Sequence, residues 1–290
     1  MENAVCFVQF IHPGGEHRPD DDGRKEWNRG PHRRKFLRGP GRLIRGGRHA
    51  KGDLHFWSEW EPESEVLHQI GDPVPGGPRF IWRPWYTPKR DASGLQNTDP
   101  FVFGAFHYTG CQQHAGGHPN QLRHLDCGSV VLFGSHVGGD FVLDTVFVVH
   151  DWRDHDASGW RRDLNGLVST EYTEVTLEPW YARPEESGEA CGARGAARSY
   201  RLYFGATVEN PVEGMFSYFP CTPADETPRG FARPRIRIAE AITPLLRQGK
   251  RLNRQSSAAS CIRLWGAVRA QVEAKGLALG VHADIPPRVV

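Results

Sequence analysis

Side chains able to do acid–base or metal chemistry gather in three places. The first is His12-Pro-Gly-Gly-Glu16-His17. A histidine where an apolar run stops, with a carboxylate four residues on, can make an acid/base pair or two metal ligands. The intervening glycines let a phosphate or base approach the backbone. The second is Glu59 and Glu61 in His55-Phe-Trp-Ser-Glu-Trp-Glu61. On an extended strand these two carboxylates share a face about 7 Å apart. That spacing suits shared acid and base roles, or neutralisation of nearby arginines. The third is Asp99 in Asn97-Thr-Asp-Pro-Phe101, a turn former or a group that orients water. His12, Glu16, Glu59 and Asp99 are therefore the candidate catalytic residues.

A strong positive field lies beside them. Residues 24–51 hold eleven Lys and Arg against a single acid, a net +10 in a chain whose total is +2. A concentrated basic segment on an otherwise acidic chain directs its field at a polyanion. Arg24, Lys25, Arg29, Arg33, Arg34, Lys35, Arg38, Arg42, Arg45 and Arg48 are the expected nucleic-acid contacts. Trp57, Trp60, Trp85, Phe101 and Tyr108 are the aromatic planes expected to stack on bases. The other reading of these aromatics is that they fill a β-core.

A metal alternative comes from His150-Asp-Trp-Arg-Asp-His-Asp156, which concentrates hard and borderline ligands after a strong strand. Its polarity suits a solvated loop better, so no metal ligand and no cofactor are assigned. Asp144, inside an apolar run, needs an Arg or His partner because an unpaired buried charge is too costly. No phosphate-binding loop, nucleophile elbow, kinase set or dinucleotide fingerprint is present. Six scattered cysteines without a C-x-x-C pair indicate neither a zinc ribbon nor a compact disulfide framework.

Two short turns are similar to those of uracil-DNA-glycosylase-type enzymes. Asp99-Pro100-Phe101 resembles the family's Asp-Pro-aromatic turn, and His12-Pro13-Gly14 its His-Pro turn. The resemblance implies an Asp that positions water and a His that stabilises the departing base. The two turns occur in the opposite order here, and the residues preceding the Asp differ from the family pattern. The element pattern also differs from that family's doubly wound sheet.

The elements that must position these groups read mainly as strands. Residues 4–11 form an apolar strand stopped by Pro13-Gly-Gly, and 54–61 and 79–86 are aromatic strands. Residues 128–135 and 140–149 make a hairpin through Gly138-Gly139. The glycine- and proline-rich basic tract reads as an extended loop or a small hairpin that orders on its partner. Residues 151–170 read as loop, 170–177 as strand or short helix, and 184–198 as a surface excursion. Helical patterns come late, at 236–247 and 256–275, the second with Ile262, Trp265, Val268 and Val272 on one face.

The expected fold is α+β: one domain over 1–290, a mainly antiparallel, strongly bent or barrel-like sheet, and helices toward the C-terminus. No run of about 18 apolar residues and no secretory signal pattern is seen, so a cytoplasmic location with no membrane partner is expected. The function these features imply is a DNA-binding enzyme, DNA preferred over RNA, that hydrolyses the N-glycosidic bond of a base, ordinary or modified, flipped into an aromatic pocket. The alternatives are a non-catalytic reader of a modified base or RNA, and a metal-dependent nuclease.

Overall fold

A computed structural model describes residues 2–115, 117–182, 198–238, 251–252 and 257–290. Two sheets dominate, with few helices. The strands in chain order are β1 (Phe7–His12), β2 (Arg24–Lys25), β3 (Lys35–Arg45), β4 (Arg48–Ser58), β5 (Ser64–Gln69), β6 (Phe80–Pro84) and β7 (His107–Tyr108). There follow β8 (His114–Ala115), β9 (His118–Pro119), β10 (Val130–Val137), β11 (Asp140–Asp156), β12 (Ser199–Gly205), β13 (Phe219–Pro223), β14 (Arg251–Leu252) and β15 (Ala278–Ala283).

The first sheet has the order β14-β1-β10-β11-β12-β7. Its apolar strands explain why β1 lies inside: Phe7, Val8 and Phe10 are all buried, and β1 runs parallel to β10 with His12 opposite Ser135. The expected β10–β11 hairpin forms. Val137 pairs with Asp140 across Gly138 and Gly139, both in the left-handed region that a two-residue turn needs. β11 does not stop at 149. It continues to Asp156 because β12 supplies a partner for its polar half, so residues 151–156 are strand and not loop.

The second sheet has the order β15-β13-β4-β3-β6-β5-β2, and β15 also pairs with β3. Strands β3, β4, β13 and β15 therefore close on one another in an antiparallel ring. The basic tract is not a loose arm. Most of it is the regular β3–β4 hairpin, in register from Lys35↔Ser58 to Arg45↔Arg48 around Gly46-Gly47. Gly41 sits where the ring closes: a Cβ there would stand 2.4 Å from the His282 carbonyl oxygen.

Helices are short and mostly mid-chain: α1 (Trp160–Asp163), α2 (Thr170–Tyr172), a π-turn over Thr173–Leu177 and α3 (Glu178–Tyr181). The C-terminal α4 (Ala258–Glu273) starts at the N-cap Ser257 and ends before Gly276, as its sequence signals indicate. Its buried face is Cys261, Leu264, Trp265, Val268 and Val272, while Ile262 is exposed. Leu264, four residues before Val268, and not Ile262 completes the apolar stripe. All of the expected excursion at 184–198 except Arg198, and most of the expected helix at 236–247, lie outside the described residues. Cys6, Cys221 and Cys261 are buried, as small hydrophobes commonly are.

Candidate active site

The turn at the end of β1, the segment joining β2 to β3, the exit of β4 and the turn before β7 meet at one buried charged cluster. Arg34, the residue before β3, is its hub. Its Nε donates to Asp144 Oδ2 and its Nη1 to Glu59 Oε2, each at 2.8 Å. Arg233 donates from Nη1 to Asp144 Oδ1 at 3.3 Å and from Nη2 to the Gly14 carbonyl at 2.6 Å. Asp144, the acid in an apolar strand, thus has the arginine partnership that its burial demands.

Glu59 is 2 % exposed, and both its oxygens are engaged. Oε2 takes Arg34, while Oε1 accepts the backbone N–H of Asp99 at 3.2 Å and lies 3.2 Å from His32 Nδ1. His32 Nδ1 is also 3.1 Å from Glu61 Oε1. His12 Nε2 stands 3.9 Å from Glu59 Oε2, its ring packed against Phe10 and Phe133. Neither nitrogen of the His12 ring has a hydrogen-bond partner, and Glu61 Oε2 is likewise unpartnered. Asp99 accepts the N–H of Thr109 at 3.0 Å and that of Cys111 at 3.3 Å.

These environments push the groups apart. Burial, reinforced by Arg34, holds the His12 imidazolium well below the ordinary histidine range, so this ring is neutral. Burial acts in the same direction on His32, but the facing Glu59 and Glu61 outweigh it and raise its pKa. Glu59 is desolvated too, yet Arg34 and His32 hold it ionised. Burial pushes Asp99 well above the carboxylate range against the pull of the Thr109 amide, which favours its protonated form. The three groups are thus biased in different directions, as the members of an acid–base set are.

Three of the four expected catalytic residues, His12, Glu59 and Asp99, come together here. Glu16 does not. Its carboxylate accepts the backbone N–H groups of Arg79 and Phe80, which fixes the start of β6. His32 is not among the residues expected from the sequence, and Arg34 is expected there as a nucleic-acid contact. Both sit in the basic tract, where their charge reads as outward-facing; the signal available was the acid pair Glu59 and Glu61, which needs buried cations.

The expected nucleic-acid residues separate into two groups. Arg34 and Lys35 are 1 % and 0 % exposed, so neither touches a polyanion; Lys35 Nζ donates to the carbonyls of Trp60 and Pro62. Burial lowers the Lys35 pKa to about 7. Arg38, Arg42 and Arg45 pair with Asp53, Glu209 and Glu226 on the surface. Arg29, Arg33 and Arg48 are exposed.

Arg24, Lys25, Arg29 and Lys89 line a cleft of about 710 Å³ together with Trp27 and Trp85, and with the acids Asp20, Asp22, Glu26, Glu63 and Asp91. Of the expected stacking residues, only Trp85 faces this cleft. Trp57, Trp60, Phe101 and Tyr108 are buried core, because β4 and the turns after it turn those rings inward. Residues 27–32 run between cleft and cluster: Trp27 and Arg29 line the first, Asn28 donates its N–H to the Glu61 carbonyl, and His32 belongs to the second.

No family model, curated protein or solved structure matches this chain. The His/Asp cluster at 150–156 does not assemble as a metal site. His155 bonds Thr109 and Tyr181, Asp154 pairs with Arg123 and Arg201, and Asp156 accepts the N–H groups of Ser158 and Gly159. No described helix is long and apolar enough to cross a membrane.

Proposed function

We propose that the chain is a nucleic-acid-binding hydrolase that cleaves the N-glycosidic bond of a nucleobase, DNA being the preferred substrate. The observation that carries this reading is the meeting of His12, Glu59 and Asp99, from three distant parts of the chain, at one charged cluster. Cleavage of this bond passes through an oxocarbenium-like state and needs a carboxylate near the sugar and a donor near the leaving base. Glu59 supplies the first. Asp99, neutral, donates its proton to the leaving base as the C1′–N bond breaks. Water adds to C1′, and His12 accepts the proton that the water gives up. The mixed-charge cleft with Arg24, Lys25, Arg29 and Trp85 takes the backbone and one base plane. Segment 27–32, with exposed Arg29 and Gly30, has to shift for a base to pass from the cleft to the cluster.

The test is abasic-site formation on single- and double-stranded DNA, read by alkaline strand cleavage. Asp99→Asn and Glu59→Gln are each expected to reduce the rate by about 10²–10⁴-fold. Salt-sensitive binding without base loss would make the protein a reader instead. Strand cleavage that precedes base loss and is abolished by EDTA would make it a nuclease.

A further inference from the structure

We propose that His32, Glu59 and Glu61 form a binding site for one divalent transition-metal ion of the Zn2+ or Mn2+ class. One nitrogen and two carboxylate oxygens are a donor set for borderline cations. The three donor atoms lie within 4.8 Å of one another. His32 Nδ1 stands 3.1 Å from Glu61 Oε1 and 3.2 Å from Glu59 Oε1. Metal–ligand bonds of about 2.0–2.2 Å set neighbouring donors roughly 3.0–3.5 Å apart, so two of the edges already have that length.

A second observation points to the same place. Glu61 Oε2 is buried and lacks a hydrogen-bond partner, as do both ring nitrogens of His12. The side chains of Glu61 and His12 are 0 % and 4 % exposed, and His12 Nε2 faces Glu59 at 3.9 Å. Buried polar atoms without partners are uncommon, and a bound ion is one of the few things that satisfies them. A cation at His32 leaves Glu61 Oε2 free to close a bidentate contact and puts His12 beside the ion.

The surroundings hold the ligands as an outer shell holds a metal site. Arg34 occupies Glu59 Oε2 and leaves Oε1 turned to His32; Asp99 N–H fixes that same oxygen; Glu61 N–H donates to the Thr98 hydroxyl. The His32 side chain is 24 % exposed and gives the ion its way in. The inference rests on reading this cluster as the reactive centre, but binding is measured apart from any chemistry.

The experiment uses the untagged full chain, dialysed against EDTA and then titrated with Zn2+ by calorimetry and with Co2+ by visible absorption. One equivalent is expected to bind, with Co2+ ligand-field bands and a rise in melting temperature. His32→Gln and Glu61→Gln are each expected to weaken binding by about 100-fold or more and to abolish the temperature rise. His150→Ala, which removes a histidine bonded to Asn210 and not to the cluster, is expected to bind as the wild type does. A wild-type chain that takes up no ion overturns the proposal without reference to a variant, and so does uptake unchanged in both glutamine variants. Base excision assayed on the same samples separates the two readings. Excision without metal uptake removes only the ion; metal uptake without excision removes only the glycosidic reaction.

Discussion

The two ends of the β3–β4 hairpin treat the same kind of residue in opposite ways. At its base, Arg34 and Lys35 are sealed in and bound to Glu59, Asp144 and backbone carbonyls. Toward its tip, Arg38, Arg42 and Arg45 pair with acids in side chains that remain roughly half exposed. The contrast shows that a run of basic residues is not one functional unit. Its inner members neutralise buried acids where the dielectric is low. Its outer members trade partners with water and are worth little to stability.

The sharpest way to break that contrast is Arg34→Ala. It removes the guanidinium that Glu59 and Asp144 share and leaves them only His32 and Arg233, and a loss of about 3–5 kcal/mol is expected in urea unfolding. A loss under about 1 kcal/mol would mean that the cluster is wetter than its burial indicates.

Acid should attack the interior before the surface. His107 and His155 are buried, and burial, helped by Arg123 at His155, lowers each pKa to about 4. Between the ordinary value near 6.5 and about 4, the unfolded chain binds protons that the folded chain refuses, so stability falls with pH. The expected slope is up to about 1.4 kcal/mol per pH unit for each histidine. Melting curves from pH 7 to 4 test this, and His107→Gln should flatten them. His32, with its pKa raised, acts in the opposite sense: its contribution is present below 6.5 and fades as pH rises toward its folded value.

Smaller effects belong to the surface. Arg29→Ala, Arg33→Ala and Arg48→Ala should leave melting unchanged, and each should reduce the salt slope of DNA binding by about 1. Slopes unmoved by all three would separate the basic tract from any polyanion. Arg42→Ala and Arg45→Ala should cost under about 1 kcal/mol each in urea unfolding.

Local sequence signals were enough for much of the fold. The apolar run at β1, the Gly138-Gly139 turn and the caps of α4 act over a few residues, and each element formed where its residues placed it. Asp144 could also be read alone, since a carboxylate in an apolar strand must find a cation. The site was legible only in part. His12, Glu59 and Asp99 stood out by type and local setting. Arg34 meets Glu59 because the β3–β4 register that sets Lys35 opposite Ser58 also sets these two across from each other, whereas the links to His32 and Asp144 depend on tertiary packing that no spacing within the tract encodes. Aromatics misled for the same reason. Whether Trp60 faces a ligand or the core is decided by long-range packing, and here its Nε1–H is tied to the Glu63 carbonyl.

The closed ring of β3, β4, β13 and β15 has a bearing on how copies of this chain behave at high concentration. Each ring strand has a partner strand on both sides along part of its length, which limits the open backbone it offers to a second molecule. The exception is the outer half of β4, residues 48–52, whose far side has no partner strand among the described residues. That stretch carries Arg48, His49 and Lys51. Charged side chains on a free edge repel an incoming strand. Part of the basic tract thus guards against edge-to-edge aggregation, and replacing Arg48 and Lys51 with valine or threonine is the change most apt to remove that guard.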